Sequence, residues 1–126
     1  MTDMIKMKIS GLTIDPFTNM PIVILKDEEG KIALPVWIGL IEASAIATEY
    51  EKMPLTRPMT HDLIKKILEE LKAQVVRVEI TDLVDNTFFA QVYLVSGEKS
   101  FALDCRPSDA LAIAIGTSHG AYKFTK

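Results

Sequence analysis

One polar corner constrains this chain more than any other stretch. Leu103-Asp104-Cys105-Arg106-Pro107-Ser108-Asp109-Ala110-Leu111-Ala112-Ile113-Ala114 reads as a strand end, a turn and the first turns of a helix. Ser108 follows a proline and precedes an apolar run. That predicts it as the N-cap, its hydroxyl accepting backbone N–H groups that the helix leaves unpaired. Asp109 then falls in the first turn, where the helix dipole favours a carboxylate. Such a corner is either a charged cap tying a helix to a sheet or half of a site.

The chain echoes this corner twice. Arg57-Pro58-Met59-Thr60-His61-Asp62-Leu63 repeats the order Arg-Pro, hydroxyl N-cap (Thr60), first-turn aspartate (Asp62). Glu42-Ala43-Ser44-Ala45-Ile46-Ala47 resembles Asp109–Ala114 at one constant offset, and each run follows a strand-like segment, Lys31–Leu34 and Lys99–Leu103. These echoes predict an internal duplication, repeat one over about 4–73 and repeat two over about 74–124, within a single domain spanning 1–126.

Periodicity supplies the elements. Met4–Ile14 alternates charged and apolar residues, as a half-buried strand does. Pro21–Lys26 is β-branched and apolar, and Asp27-Glu28-Glu29-Gly30 turns it back into Lys31–Val36. Pro35 cannot donate to a ladder, which places that strand at an edge or ends it there. Leu40–Glu51 reads as a first helix rich in small residues. Thr60–Lys72 is a second, with Leu63, Ile64, Ile67, Leu68 and Leu71 on one apolar stripe and its charges facing water. Val75–Leu83, Thr87–Val95 and Lys99–Cys105 predict a meander whose last hairpin turns at Gly97-Glu98. The third helix is expected to end near Gly116, and Ala121–Phe124 to add a short strand. The expected fold is thus α+β, with six or seven strands and three helices.

Composition narrows the function. The formal net charge is −3 with no lysine or arginine block, which argues against a protein that coats nucleic acid through many phosphate contacts. The single cysteine, Cys105, excludes an internal disulfide framework and fits a reducing compartment, so a cytoplasmic location is expected. No apolar run is long enough to span a bilayer, and the N-terminus lacks a signal peptide's apolar core, so no membrane partner is expected. Cys-x-x-Cys, His-Glu-x-x-His, phosphate-binding glycine loops and Gly-x-Ser-x-Gly are all absent, and His61 and His119 are the only imidazoles.

Carboxylates are the remaining chemical resource. Glu42, Asp62, Asp104 and Asp109 fall at predicted helix starts or strand ends, and their convergence on one rim would suit magnesium or manganese. The plainer readings compete. Asp62 and Asp109 serve equally as dipole-stabilised first-turn carboxylates, and Arg57 and Arg106 as ion-pair partners. His61 is expected to be exposed, Cys105 buried and inert, and Trp37 packed in the core.

Leu34-Pro35-Val36-Trp37-Ile38-Gly39 with Glu42-Ala43, then Arg57–Leu63, then Asp104–Ala110, resemble the successive signatures of the bifunctional nuclease domain family. The similarity runs from about Met4 to Phe124. It implies a barrel-like mixed sheet built from two intertwined repeats, and nuclease activity on both RNA and DNA. The chain reaches Lys126 without the added C-terminal interaction segment of some members, so functions tied to that segment are not expected.

Two function classes follow. In the first, the protein is a divalent-metal-assisted phosphodiesterase. His61, Asp62, Asp104 and Asp109 are then catalytic, Arg57 and Arg106 hold phosphate, and Glu42 and Asp109 hold the metal. In the second, it is a non-enzymatic interaction or regulatory module whose Arg-Pro corners are structural braces, with small-residue helix faces suited to a homo-oligomer.

Overall fold

Period-two alternation gives the two longest strands one apolar face each, and both end up near the middle of one sheet. The computed structural model describes residues 4–53, 56–84, 87–115 and 122–125. The strands are β1 (Met4–Ile14), β2 (Pro21–Asp27), β3 (Ala33–Trp37), β4 (Gln74–Val84), β5 (Thr87–Ser96), β6 (Lys99–Cys105) and β7 (Tyr122–Thr125). Helices α1 (Leu40–Tyr50) and α2 (Thr60–Glu70) lie between β3 and β4, and α3 (Pro107–Ala114) follows β6. The expected helix end at Gly116, the start of the last strand at Ala121, and His119 lie outside the described residues.

The sheet order is β3-β2-β1-β7-β4-β5-β6. Two antiparallel three-strand meanders are joined by β7, which runs antiparallel to β1 and parallel to β4. The α+β class is as expected, but the sheet is open rather than barrel-like: β3 and β6 are its two edges. Pro35 explains one of them, since a residue without an N–H is tolerated on an outer strand. Gly30 and Gly97 turn the hairpins with φ of +74° and +62°, a conformation in which a Cβ would be strained.

Cross-strand partners share a face, so the register identifies the inner side. Val78 and Ile80 of β4 pair with Val92 and Ala90 of β5, and all four are buried. The intervening residues Arg77, Glu79, Gln91 and Tyr93 fall on the opposite face. There the Arg77 guanidinium lies 3.8 Å from the Tyr93 ring centre. Helix α3 packs on the inner face of β4 and β5 and also touches α1 and α2. Its alanines at 110, 112 and 114 are buried and Leu111 is fully so; small side chains permit that approach on several sides. This central position of α3 brings its first turn against the first turns of the other helices.

Candidate functional site

All three helices begin in the same way. Their N-caps are Gly39, Met59 and Arg106, each with extended backbone, and a carboxylate occupies the third helical position: Glu42, Asp62 and Asp109. Thr60 and Ser108, expected as N-caps, instead occupy the first and second helical positions. Pro107 accounts for the shift in α3, because a residue with no N–H suits the first helical position, where none is needed. Capping runs from the carboxylate side: Met59 N–H donates to Asp62 Oδ2 at 2.8 Å, and Arg106 N–H to Asp109 Oδ2 at 3.2 Å. Gly39 makes room for Glu42, since a Cβ at Gly39 would land on the Glu42 carboxylate.

Arg106 ties two of these first turns together. Its Nε and Nη2 donate to the two Asp109 oxygens at 2.9 and 2.8 Å, and Nη1 donates to Glu42 Oε1 at 3.0 Å. The Arg106 side chain beside it holds the Asp109 carboxyl below its usual 3.8, against the opposing effect of burial. Hydrogen bonds to Asp109 and then Glu42 stabilise the guanidinium charge in turn. Glu42 and Asp109, expected to hold a metal, therefore have a cation between them already. A divalent ion there would face a positive neighbour, and the pair does not fit one.

A second cluster forms where the end of α1 meets the start of α2. His61, expected to be exposed, is buried, with Nε2 3.1 Å from Glu49 Oε1 and 3.5 Å from Asp62 Oδ1. Lys65 Nζ lies 3.6 Å from the same Glu49 oxygen. Burial pushes the Asp62 carboxyl up, but the Met59 N–H, a Glu49 contact and the charges of His61 and Lys65 outweigh it, holding it below 3.8. The donor atoms of Glu49, His61 and Asp62 all lie within 4.8 Å of one another, so these residues fit a metal ion better than Glu42 and Asp109 do. One imidazole and two carboxylates suit manganese more than magnesium, which prefers oxygen alone. Glu49 was not among the expected site residues; it reaches His61 because the end of α1 comes against the start of α2.

Two clefts share Arg106, Glu42 and Ser108 as their common wall. The smaller, about 290 Å³, is bounded by all three first turns, including Ile41, Thr60, His61 and Asp109. The larger, about 710 Å³, is lined by apolar and aromatic residues, among them Met20, Pro35, Trp37 and Phe88. Trp37, expected in the core, is 51% exposed along it. Its indole N–H donates to Asp15 Oδ2 at 3.0 Å, which fixes the ring from one end. The Phe17 N–H and the Trp37 indole together hold that carboxyl below its usual range.

The remaining expected residues fall elsewhere. Asp104 pairs with Gln91 on exposed edge strand β6, on the face away from the helices, because its neighbour Cys105 pairs with buried Ala90. Arg57 precedes the α2 N-cap by two residues, is exposed, and makes no ion pair among the described residues. The four carboxylates thus do not share one rim: Glu42 and Asp109 meet at Arg106, Asp62 joins His61, and Asp104 is separate. Burial, then the Asp109 and Asp104 carboxylates, push the Cys105 thiol up to about 11, which makes it a poor nucleophile.

No described helix is long and apolar enough to cross a membrane. The sequence profile of the bifunctional nuclease domain matches residues 23–122. An uncharacterized protein of Mycobacterium tuberculosis is 35% identical over 87% of this chain and 65% of its own length. Bifunctional nuclease 1 of Arabidopsis thaliana is 26% identical over 83% of this chain and 34% of its own length, and bifunctional nuclease 2 of the same plant 29% identical over 74% and 30%. The chain thus spans less than two thirds of each of these relatives. With a profile match over most of its residues, it belongs to the bifunctional nuclease domain family.

Proposed function

We propose that this domain hydrolyses phosphodiester bonds in RNA and DNA, with the Arg106 wall as the place where substrate is held. The observation that carries the reading is the convergence of three helix starts on one cleft that contains both His61 and Arg106. Three helix N-termini add positive potential to the guanidinium, which favours a phosphate group. Arg106 spends three N–H donors on Asp109 and Glu42. A guanidinium has five, so two are left for a phosphate oxygen. The aromatic side of the larger cleft offers Trp37 and Phe88 as stacking surfaces for a base, a mode that tolerates any sequence and either sugar. Binding of this kind needs no basic surface, which reconciles the reading with a net charge of −3.

Hydrolysis requires a water to lose a proton as it attacks phosphorus and the leaving oxygen to gain one as the P–O bond breaks. His61 lines this space, and its Nε2 faces Glu49 and Asp62. With no metal bound, a proton on Nε2 facing the two carboxylates leaves Nδ1 as the acceptor nitrogen of the neutral ring. A divalent cation held by Glu49, His61 and Asp62 would take the place of the Nε2 proton and supply Lewis-acid activation of water or phosphate oxygen instead. The chain's own groups orient the phosphate at Arg106 and the base against Trp37. Cleavage of single-stranded RNA and DNA by freshly purified protein, with and without manganese, tests the reading. His61→Gln and Arg106→Lys are expected to lose tenfold or more of the rate while melting as the wild type does. Wild-type activity in both variants would assign the cleavage to a contaminant.

A second reading rests on the same arginine. Both carboxylates at Arg106 are closed into ion pairs, as a structural brace between α1 and α3 would have them. Under it the domain is an interaction module, Arg106→Lys lowers the melting temperature, and no nucleic acid is turned over.

A further inference from the structure

The larger cleft runs along the open edge of β3. Consecutive residues 34–39 all line it, and neighbours in a strand point to opposite faces, so only the edge presents them together. Trp37 ends that strand with half of its surface open, and its cross-strand partner Ile22 is buried. What holds the ring comes from the loop between β1 and β2. Asp15 Oδ2 accepts the indole N–H and the Thr18 hydroxyl, each at 3.0 Å, while Oδ1 accepts the Phe17 N–H at 2.9 Å. The Asp15 N–H donates to the Met20 carbonyl, and the Asp15 carbonyl accepts the Asn19 N–H, each at 2.8 Å. Asn19 closes the loop in the left-handed region at φ +61°, which asparagine tolerates better than most side chains. Met20, next in the chain, is a further wall of the cleft. An exposed indole N–H can be satisfied by water, so its bond to Asp15 adds little to stability. What it adds is a fixed ring plane.

We propose that Asp15 is a positioning residue for base binding, holding Trp37 as a platform for one unpaired nucleotide, so that the substrate class is single-stranded RNA or DNA. The proposal rests on the nuclease reading and specifies its ligand. A base inside a duplex is stacked on both sides and has no face to lay on the indole. A base in a single strand has one, whatever its identity and whichever sugar carries it. A ring fixed beforehand loses no further freedom when the base lands, which is how preorganised sites gain affinity. Charge sets the direction of the strand. The Phe17 N–H and the indole hold the Asp15 carboxyl below its usual 3.8, so it is ionised at neutral pH and disfavours phosphate at the Trp37 end. Arg106 is the only cation among the described residues that line this cleft, and its end is the one that admits phosphate.

Trp37 is the only tryptophan of the chain, so its fluorescence reports this platform alone. Nuclease-resistant phosphorothioate probes are titrated into the full chain: a short oligodeoxyadenylate, the same backbone with abasic sugars, and a blunt DNA duplex. The adenylate is expected to quench the indole and to bind on the order of tenfold more tightly than the other two. Asp15→Asn sets an amide donor where Oδ2 accepts from Trp37. It is expected to lower the anisotropy of the indole emission and remove most of the adenylate preference, with abasic binding and melting temperature unchanged. In Trp37→Phe, which keeps a stacking ring but has no N–H, Asp15→Asn should change the binding of labelled probes no further. Arg106→Lys should weaken all three probes alike. Should Asp15→Asn melt early, Trp37→Leu, which removes the platform itself, must still abolish the adenylate preference. Equal wild-type affinity for adenylate and abasic probes would overturn the inference and leave the nuclease reading standing, whereas binding of no probe would overturn both. A preference undiminished in Asp15→Asn, or an equal loss on the abasic probe, would remove Asp15 from base positioning.

Discussion

Helix α3 carries apolar residues on nearly every side and is buried nearly throughout, while α2 has the sharpest division into apolar and charged faces and buries little of its apolar side. Both open with the same device, a third-position carboxylate bonded back to the N-cap N–H. What separates them is the size of their side chains. Alanines let α3 sit between β4, β5 and two other helices, whereas most branched residues of α2 stay outside and its inner side is given to His61, Lys65 and Leu68. A helix that is evenly apolar belongs to the core of its own chain. One that is divided leaves its outer face to be read from the packing.

The largest expected difference between the two helices is in core truncation. Leu111→Ala removes a fully buried side chain of α3 and is expected to cost about 2–5 kcal/mol. Leu63→Ala in α2, where the side chain is half exposed, should cost less than about 1 kcal/mol. Urea denaturation of both variants checks the contrast, and equal losses would erase it.

A smaller effect separates the two carboxylate corners. Arg106→Ala leaves Glu42 facing Asp109 with no cation between them. Because the guanidinium is largely exposed, solvent screening limits the expected loss to roughly 1 kcal/mol, and added salt should reduce it. The corner at α2 has no counterpart to lose, since Arg57 makes no ion pair among the described residues; Arg57→Ala should melt as the wild type does.

Acid probes both corners at once. The folded-state pKa values of Asp62 and Asp109 lie below 3.8, so each binds its proton less readily folded than unfolded. Their stabilisation is complete above about pH 5 and disappears as pH falls through 3.8 and then through the lower folded values. Asp109→Asn and Asp62→Asn should each flatten part of that acid limb, as thermal melts from pH 6 to pH 2.5 would show. The smallest expected signal is at Cys105. With its thiol pushed up to about 11, alkylation at pH 7.5 should be slow in folded protein and fast in urea.

Much of the fold was legible in the chain because its cues are local. Alternation marked β1, β4 and β5, Gly30 and Gly97 marked hairpins, and Pro35 marked an edge strand. The site was legible in part. Arg106, Asp109 and Glu42 could be singled out because two of them are close in sequence and the third repeats a pattern. The Arg57 echo misled, because Pro107 starts α3 one residue after Arg106, whereas Arg57 and Pro58 both precede the α2 N-cap. The number of intervening residues, rather than the motif, decides which arginine reaches a carboxylate. Glu49 and the burial of His61 depend on how α1 packs against α2, and the outward turn of Trp37 depends on Asp15 in a distant loop; no local pattern carries either. The side of α2 that faces inward was likewise invisible, since the stripe specifies burial without naming the surface that provides it.

The central claim is that His61 and Arg106 serve one substrate from a shared cleft. Anomalous diffraction from crystals of the full chain soaked with manganese and a non-hydrolysable dinucleotide tests it most directly. The account predicts an ion at Glu49, His61 and Asp62, a phosphate within hydrogen-bonding distance of Arg106, and a base against Trp37. An ion bound at other residues, with the Arg106 ion pairs unchanged and the dinucleotide absent from both clefts, would contradict it.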